Sequence, residues 1–121
     1  MVGQPVLPVI MQAAVLGEIR QFAKTASINN RQLAQELADV LGPHRVIMLK
    51  SHGAVVAAEG IVETFVLGIY LEETAQRQHL ASQLGTPTVL SPEQVSIISG
   101  KLWKPNLLKK VWDYHHGKLQ R

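Results

Sequence analysis

Five histidines, His44, His52, His79, His115 and His116, are the side chains in this chain best suited to acid–base or metal chemistry. There is no cysteine, which removes a thiolate nucleophile, a thiolate metal site and a disulfide scaffold together. His52 stands out among the five. It follows the apolar run Val46–Leu49, sits between Ser51 and Gly53, and lies where strand ends commonly present side chains to a site. Gly53 permits a close backbone approach there. The plainer alternative is a turn histidine hydrogen-bonded to backbone.

The other four offer little to join it in a coordination sphere, which needs three or so ligands converging from different elements. His44 follows the helix-ending Gly42-Pro43 and reads as a solvated loop residue. His79 shares a helix face with Glu72, but two turns put them about 10 Å apart. His115 and His116 would point about 100° apart on a helix and, near its end, would answer its dipole. No H-x-H or H-x-x-x-H spacing occurs. Glu72 and Glu73 could form an acid–base pair, although Glu73 is spaced to pair with Arg77 instead. No serine stands in a nucleophile elbow, and no glycine-rich loop precedes a helix. Tyr114 and Trp112 read as helix anchors, and the tyrosine could also reach a neighbouring active site.

The elements that must position these groups follow from pattern. Residues 4–10 are apolar but twice interrupted by proline, which predicts an extended or edge segment. Residues 11–24 carry a helix-like spacing weakened by Gly17. Asn29 or Asn30 can cap a helix through Leu33, Leu37, Val40 and Leu41, ended by Gly42-Pro43. Val46–Leu49 and Ala54–Ala58, around Lys50-Ser51-His52-Gly53, predict adjacent strands or one bulged strand. Residues 61–84 form the longest helix, its first half apolar almost all round. Ser91-Pro92-Glu93-Gln94 is a helix start with a capping box, and a last helix is expected from about Pro105.

Apolar residues make up 46% and charged ones 17% of the 121, enough for a packed core in one domain, 1–121. No apolar run approaches the roughly 18 residues of a membrane span, and no signal peptide is evident, so a cytoplasmic protein is expected. The net charge of +3 comes largely from lysines after residue 100. Such a tail is usually a solvated face or subunit contact, so nucleic acid is not expected as a partner. The pattern is α/β, yet so few short strands suit either a larger sheet or burial against a partner.

The stretch Val46-Ile-Met-Leu-Lys-Ser-His52-Gly53-Ala-Val-Val, followed by the helix ending Tyr70-Leu71-Glu72-Glu73-Thr-Ala-Gln-Arg-Gln78, resembles the C-terminal half of the class II aldolase/adducin family. Leu7-Pro8-Val9 and the capped helix at 29–41 fall in the family's order. The resemblance implies a three-layer α/β/α fold with a mainly antiparallel central sheet, assembled as a homotetramer. It also implies a divalent metal, commonly zinc, held by three histidines, which stabilises an enediolate or enolate. His52 stands at the third ligand position, and Tyr114 is a counterpart of the family's C-terminal proton-donating tyrosines. The small-molecule substrate would be a sugar phosphate or a hydroxy-carboxylate. The tail from Thr86 to Tyr114 resembles the branch whose members decarboxylate aromatic-degradation intermediates.

Two departures accompany the match. The H-x-H pair of the N-terminal half is not among these residues, so the chain resembles a subunit without that half and is expected to be inactive alone. Ser51 also stands where the family commonly has asparagine. A non-catalytic, adducin-like binding or oligomerisation module is the alternative.

Overall fold

The computed structural model describes residues 3–120. Three strands form its sheet: β1 (Ile19–Phe22), β2 (Val46–Leu49) and β3 (Gly53–Val56), in the order β1-β2-β3. β1 runs parallel to β2, pairing Ile19 with Val46 through Phe22 with Leu49, and β3 returns antiparallel, pairing Leu49 with Gly53. Four helices surround the sheet: α1 (Arg31–Leu41), α2 (Ile61–Ser82), α3 (Pro92–Leu102) and α4 (Pro105–Leu119).

The layering follows from the period-two alternation of strand side chains. Val46 and Met48 of β2 face one side, where they meet Val15, Leu16, Leu67, Leu71 and Trp103. Ile47 and Leu49 face the other, against Phe22, Ile28, Leu37 and Leu41. Val46 and Ile47 are fully buried, so β2 is covered on both faces and reads as a continuous apolar run. Helices thus cover both sides of the sheet, giving the expected α/β/α layers.

Caps set the helix boundaries. Asn30 accepts from the Leu33 N–H at 2.9 Å to start α1, and Gly42, at φ 54°, ends it. Ser91 and Gln94 close the capping box of α3 reciprocally, at 2.8 and 3.2 Å. Lys24, just past β1, bonds Glu36 of α1 and draws its carboxyl below the usual carboxylate range, with a bond from Gln32 adding to the effect.

The helix-like spacing at 11–24 gives way to two elements. A 3-10 turn spans Met11–Val15, Gly17 takes φ 68°, and β1 follows. Glycine readily adopts this positive φ, so the chain reverses there instead of continuing a helix. Residues 4–10 are not in the sheet. They are held by Gln78 of α2, whose Oε1 accepts from the Leu7 N–H at 2.7 Å and whose Nε2 donates to the Pro5 carbonyl at 2.8 Å. The Leu90 N–H donates to the Pro8 carbonyl on the same segment. A side-chain amide thus takes the place of the missing strand partner. The first half of α2 buries Val66 and Leu67, while Ile61 remains 72% exposed, so its burial is one-sided at the start.

Replacing Gln78 with leucine keeps its bulk but removes both hydrogen bonds. A loss of about 1–2 kcal/mol is expected, with the Leu7 amide exchanging faster than the α2 amides. Unchanged exchange at Leu7 would show that packing of Val6 and Ile10 alone holds the segment.

Candidate functional site

The β2–β3 connection is a tight turn whose His52 N–H donates to the Leu49 carbonyl at 3.1 Å. Ser51, third of the four turn residues Leu49 to His52, has φ 56° and is the one non-glycine with positive φ among the described residues. A turn with positive φ at that position ordinarily takes glycine or asparagine. L-residues other than glycine pay roughly 1–2 kcal/mol there, and asparagine is tolerated better than most. Asparagine, the residue that the family resemblance leads one to expect before His-Gly, would suit this conformation, and Ser51 is the strained alternative. The adjoining Lys50 N–H donates to the Phe22 carbonyl at 3.1 Å and fixes the turn to the end of β1.

Beside this turn lies a cleft of about 350 Å³, at the carboxyl ends of the parallel strands β1 and β2. Open α/β sheets commonly bind ligands at such strand ends. Phe22, Met48, Leu49 and Val6 supply its apolar wall, with Gln21, Lys50 and Ser51 at the polar part. The sequence did not expose this cleft, because β1, one of its walls, was hidden in the ambiguous stretch at 11–24. Its best sequence signal is the paired strand ends themselves, legible only once β1 is placed.

His52 is exposed, and its ring makes no hydrogen bond among the described residues, where its backbone alone is tied down. It borders the cleft through Ser51 without lining it. Tyr114 is 62% exposed on α4, with the Lys118 ammonium 4.2 Å from its ring centre and His115 against its edge, and it does not line the cleft. The structure therefore does not bring His52 and Tyr114 together in this cleft.

The other histidines have local roles. His44 is not a solvated loop residue: its ring is 21% exposed, and Nε2 accepts from Arg20 Nη2 at 2.9 Å. Glu18 pairs with the same Arg20 at 3.2 Å, so Arg20 is held to the entry of β1 by an ion pair and to the approach to β2 by the hydrogen bond to His44. That contact was not legible because it depends on β1. His79 meets Gln83 one turn on, and His115 and His116 pack against Phe65 and Trp112. Glu72 and Glu73 are exposed, and Glu73 does not pair with Arg77. Burial pushes the Tyr70 phenol above its ordinary range, with Glu73's charge adding to it. That is the signature of a tyrosine packed on the core, and Thr74 Oγ1 donates to its carbonyl.

A second cleft of about 210 Å³ is lined by Arg45, Glu59, Glu63 and Trp103 among others. Arg45 is occupied there structurally: its guanidinium lies 4.0 Å from the centre of the Trp103 ring and donates to the Val15 carbonyl at 2.9 Å.

Residues 1–79 match the family described as the class II aldolase and adducin N-terminal domain. The chain belongs to this class II aldolase/adducin family. It is 27% identical over 88 residues to gamma-adducin of Rattus norvegicus, covering 70% of this chain and 12% of that protein. It is 33% identical over 90 residues to the protein hu-li tai shao of Drosophila melanogaster, covering 73% of this chain and 8% of that one. The chain thus spans about a tenth of the curated relatives' length. An L-fuculose 1-phosphate aldolase from Glaciozyma antarctica PI12 shares the fold, with a TM-score of 0.74 at 18% identity, over 97% of this chain and 47% of that one.

Class II aldolases are generally metal-dependent. The described residues do not themselves fit a metal: no three or more histidine, aspartate or glutamate side chains converge anywhere among them. His52 is a single donor, not a coordination sphere. No helix among the described residues is long and apolar enough to cross a membrane.

Replacing Ser51 with asparagine or glycine should relieve the positive-φ cost and raise stability by up to about 1 kcal/mol. Valine should cost about 1–2 kcal/mol, because β-branching crowds that conformation further. Urea midpoints of the three variants check the order. Valine matching serine would show that the turn is not strained.

Proposed function

We propose that this chain is one part of a composite lyase. In complete form the protein is a metal-dependent carbon–carbon lyase, working by aldol cleavage or decarboxylation. This chain, 1–121, corresponds to the C-terminal half of the family domain and is inactive alone. The observation that carries the reading is His52: an uncommitted imidazole on a strained turn, beside a cleft at the carboxyl ends of two parallel strands. Strain of this kind persists where surrounding structure holds it, and it clusters at functional sites. The fold shared with an aldolase over less than half of that enzyme's length supports a site completed by further residues.

His52 would contribute one ligand to a divalent ion, zinc in this reading, whose remaining ligands lie outside the described residues. When bound, that ion would supply Lewis-acid stabilisation of negative charge on the substrate. Lys50, exposed at the cleft, would attract the anionic group of a sugar phosphate or hydroxy-carboxylate. Tyr114, on the outside of α4, would serve as proton donor to a neighbouring subunit in a homotetramer. We place the protein in the cytoplasm, and propose neither nucleic acid nor membrane as a partner.

A second reading, a non-catalytic binding or oligomerisation module, draws support from the two curated relatives, one of them named gamma-adducin. Zinc titration with chelator competition separates the two. The chain alone is expected to bind no ion stoichiometrically. In an intact protein carrying the rest of the fold, one ion per subunit is expected. There His52→Ala should weaken binding by more than the roughly 10–100-fold that loss of an outer-sphere partner costs. Full metal retention by that variant would overturn the role of His52, and an intact protein that takes up no metal would favour the second reading.

A further inference from the structure

The cleft beside the His52 turn has one wall that belongs to neither the sheet nor a helix. Gly3, Gln4 and Val6 line it together with the ends of β1 and β2. The Gln78 amide grips this segment on either side of Val6, accepting from the Leu7 N–H and donating to the Pro5 carbonyl. Gln78 does not itself line the cleft. One further bond, from the Leu90 N–H to the Pro8 carbonyl at 2.9 Å, holds the far end. Gly3 and Gln4 make no hydrogen bond among the described residues.

Packing under the segment is incomplete. A hollow of about 50 Å³ is lined jointly by Val6, Leu7 and Pro8 and by Leu16, Ile19 and Thr74. Atoms that face a hollow forfeit contacts, so Val6 is under-supported on the core side as well as open on the cleft side. Pro5 and Pro8 fix φ and stiffen the stretch between them. A stiff segment with no ladder, held by one side chain and one loop amide, belongs to the low-stability end of a fold. The fully buried β2 beside it belongs to the other end.

We infer that residues 3–8 form a strap that opens and closes over the cleft, with Gln78 as its latch, a positioning residue that sets the cleft wall from outside the cleft. This rests on the cleft being the substrate site, as proposed above, and adds how that site opens. Its test uses neither metal nor substrate, so a failed latch and a failed lyase reading are seen in separate experiments.

Gln78→Glu tests the latch, because its two protonation states differ in one function. A carboxylate still accepts from the Leu7 N–H but has no proton for the Pro5 carbonyl, whereas the protonated acid does both. The variant should therefore be open at about pH 7 and closed at about pH 4, near the ordinary glutamate pKa. No side chain from 3 to 10 or from 83 to 91 titrates in this range, and Arg77 and His79, which flank position 78 on α2, are shared with the wild-type control. Two NMR readouts follow the strap without touching Gln78. One is relaxation of the half-buried Met48 methyl by a dissolved nitroxide, with the exposed Met11 as internal reference. The other is hydrogen-exchange protection of the Leu90 amide. At about pH 7 the variant should lose Leu90 protection about fivefold or more against wild type, and Met48 should relax more nearly like Met11. Both should return to wild-type values at about pH 4. Gln78→Leu should stay open at both, and the Val46–Leu49 amides should keep their protection throughout. The inference is overturned if Gln78→Glu leaves Met48 and Leu90 as in wild type, or if its opening does not reverse in acid. It is equally overturned if the β2 amides lose protection together with Leu90, since the change would then be one of whole-fold stability.

Discussion

The double-sided burial of β2 is the constraint on which the rest of this structure depends. Val46, Ile47 and Leu49 are buried, alternately toward the α2 side and the α1 side of the sheet. A four-residue strand shared between two cores admits one register, because a slip of one residue would exchange its two faces. With β2 fixed, β1 is drawn alongside in parallel and β3 folds back from its end. The turn between β2 and β3 must then be made in three residues, one of which has positive φ. His52 is presented where it is because the strand before it cannot move.

That arrangement divides the structure into buried and open parts. The buried side chains secure the hairpin's base, and no buried side-chain polar group among the described residues is left without a partner. The cleft and the His52 ring, in contrast, remain uncommitted. β1 and β3 are both edge strands among the described residues, and open edges are surfaces that proteins ordinarily cover. The fold itself is shared with slightly less than half of an aldolase chain.

Local signals in the sequence were legible where they acted alone. The capping box at Ser91, the cap at Asn30, the strand pair around Ser51-His52-Gly53 and the helix from Pro105 are each written within a few consecutive residues. The family resemblance rested chiefly on the run from Val46 through the helix ending at Gln78, with Leu7-Pro8-Val9 and the helix at 29–41 in the same order, and it agrees with the family match and the shared fold. What escaped was non-local. β1 is four residues long, two of them exposed, and it becomes a strand through pairing with β2, 27 positions on in register. The cleft, and the Glu18–Arg20–His44 bridge, depend on β1 and were hidden with it. Gln78 gave no sign that it would serve as the partner of residues 5–7, some 70 positions away.

Amide hydrogen exchange on the isolated chain tests the central claim most directly, namely that these residues form a folded scaffold holding the His52 hairpin at an open edge. The amides of Val46–Leu49 should be the slowest in the chain, exchanging only on global unfolding, and those of β3 facing its unpaired edge should exchange much faster. Exchange in β2 as rapid as at the end of α4 would mean that these residues do not form a stable scaffold on their own, and would contradict the account.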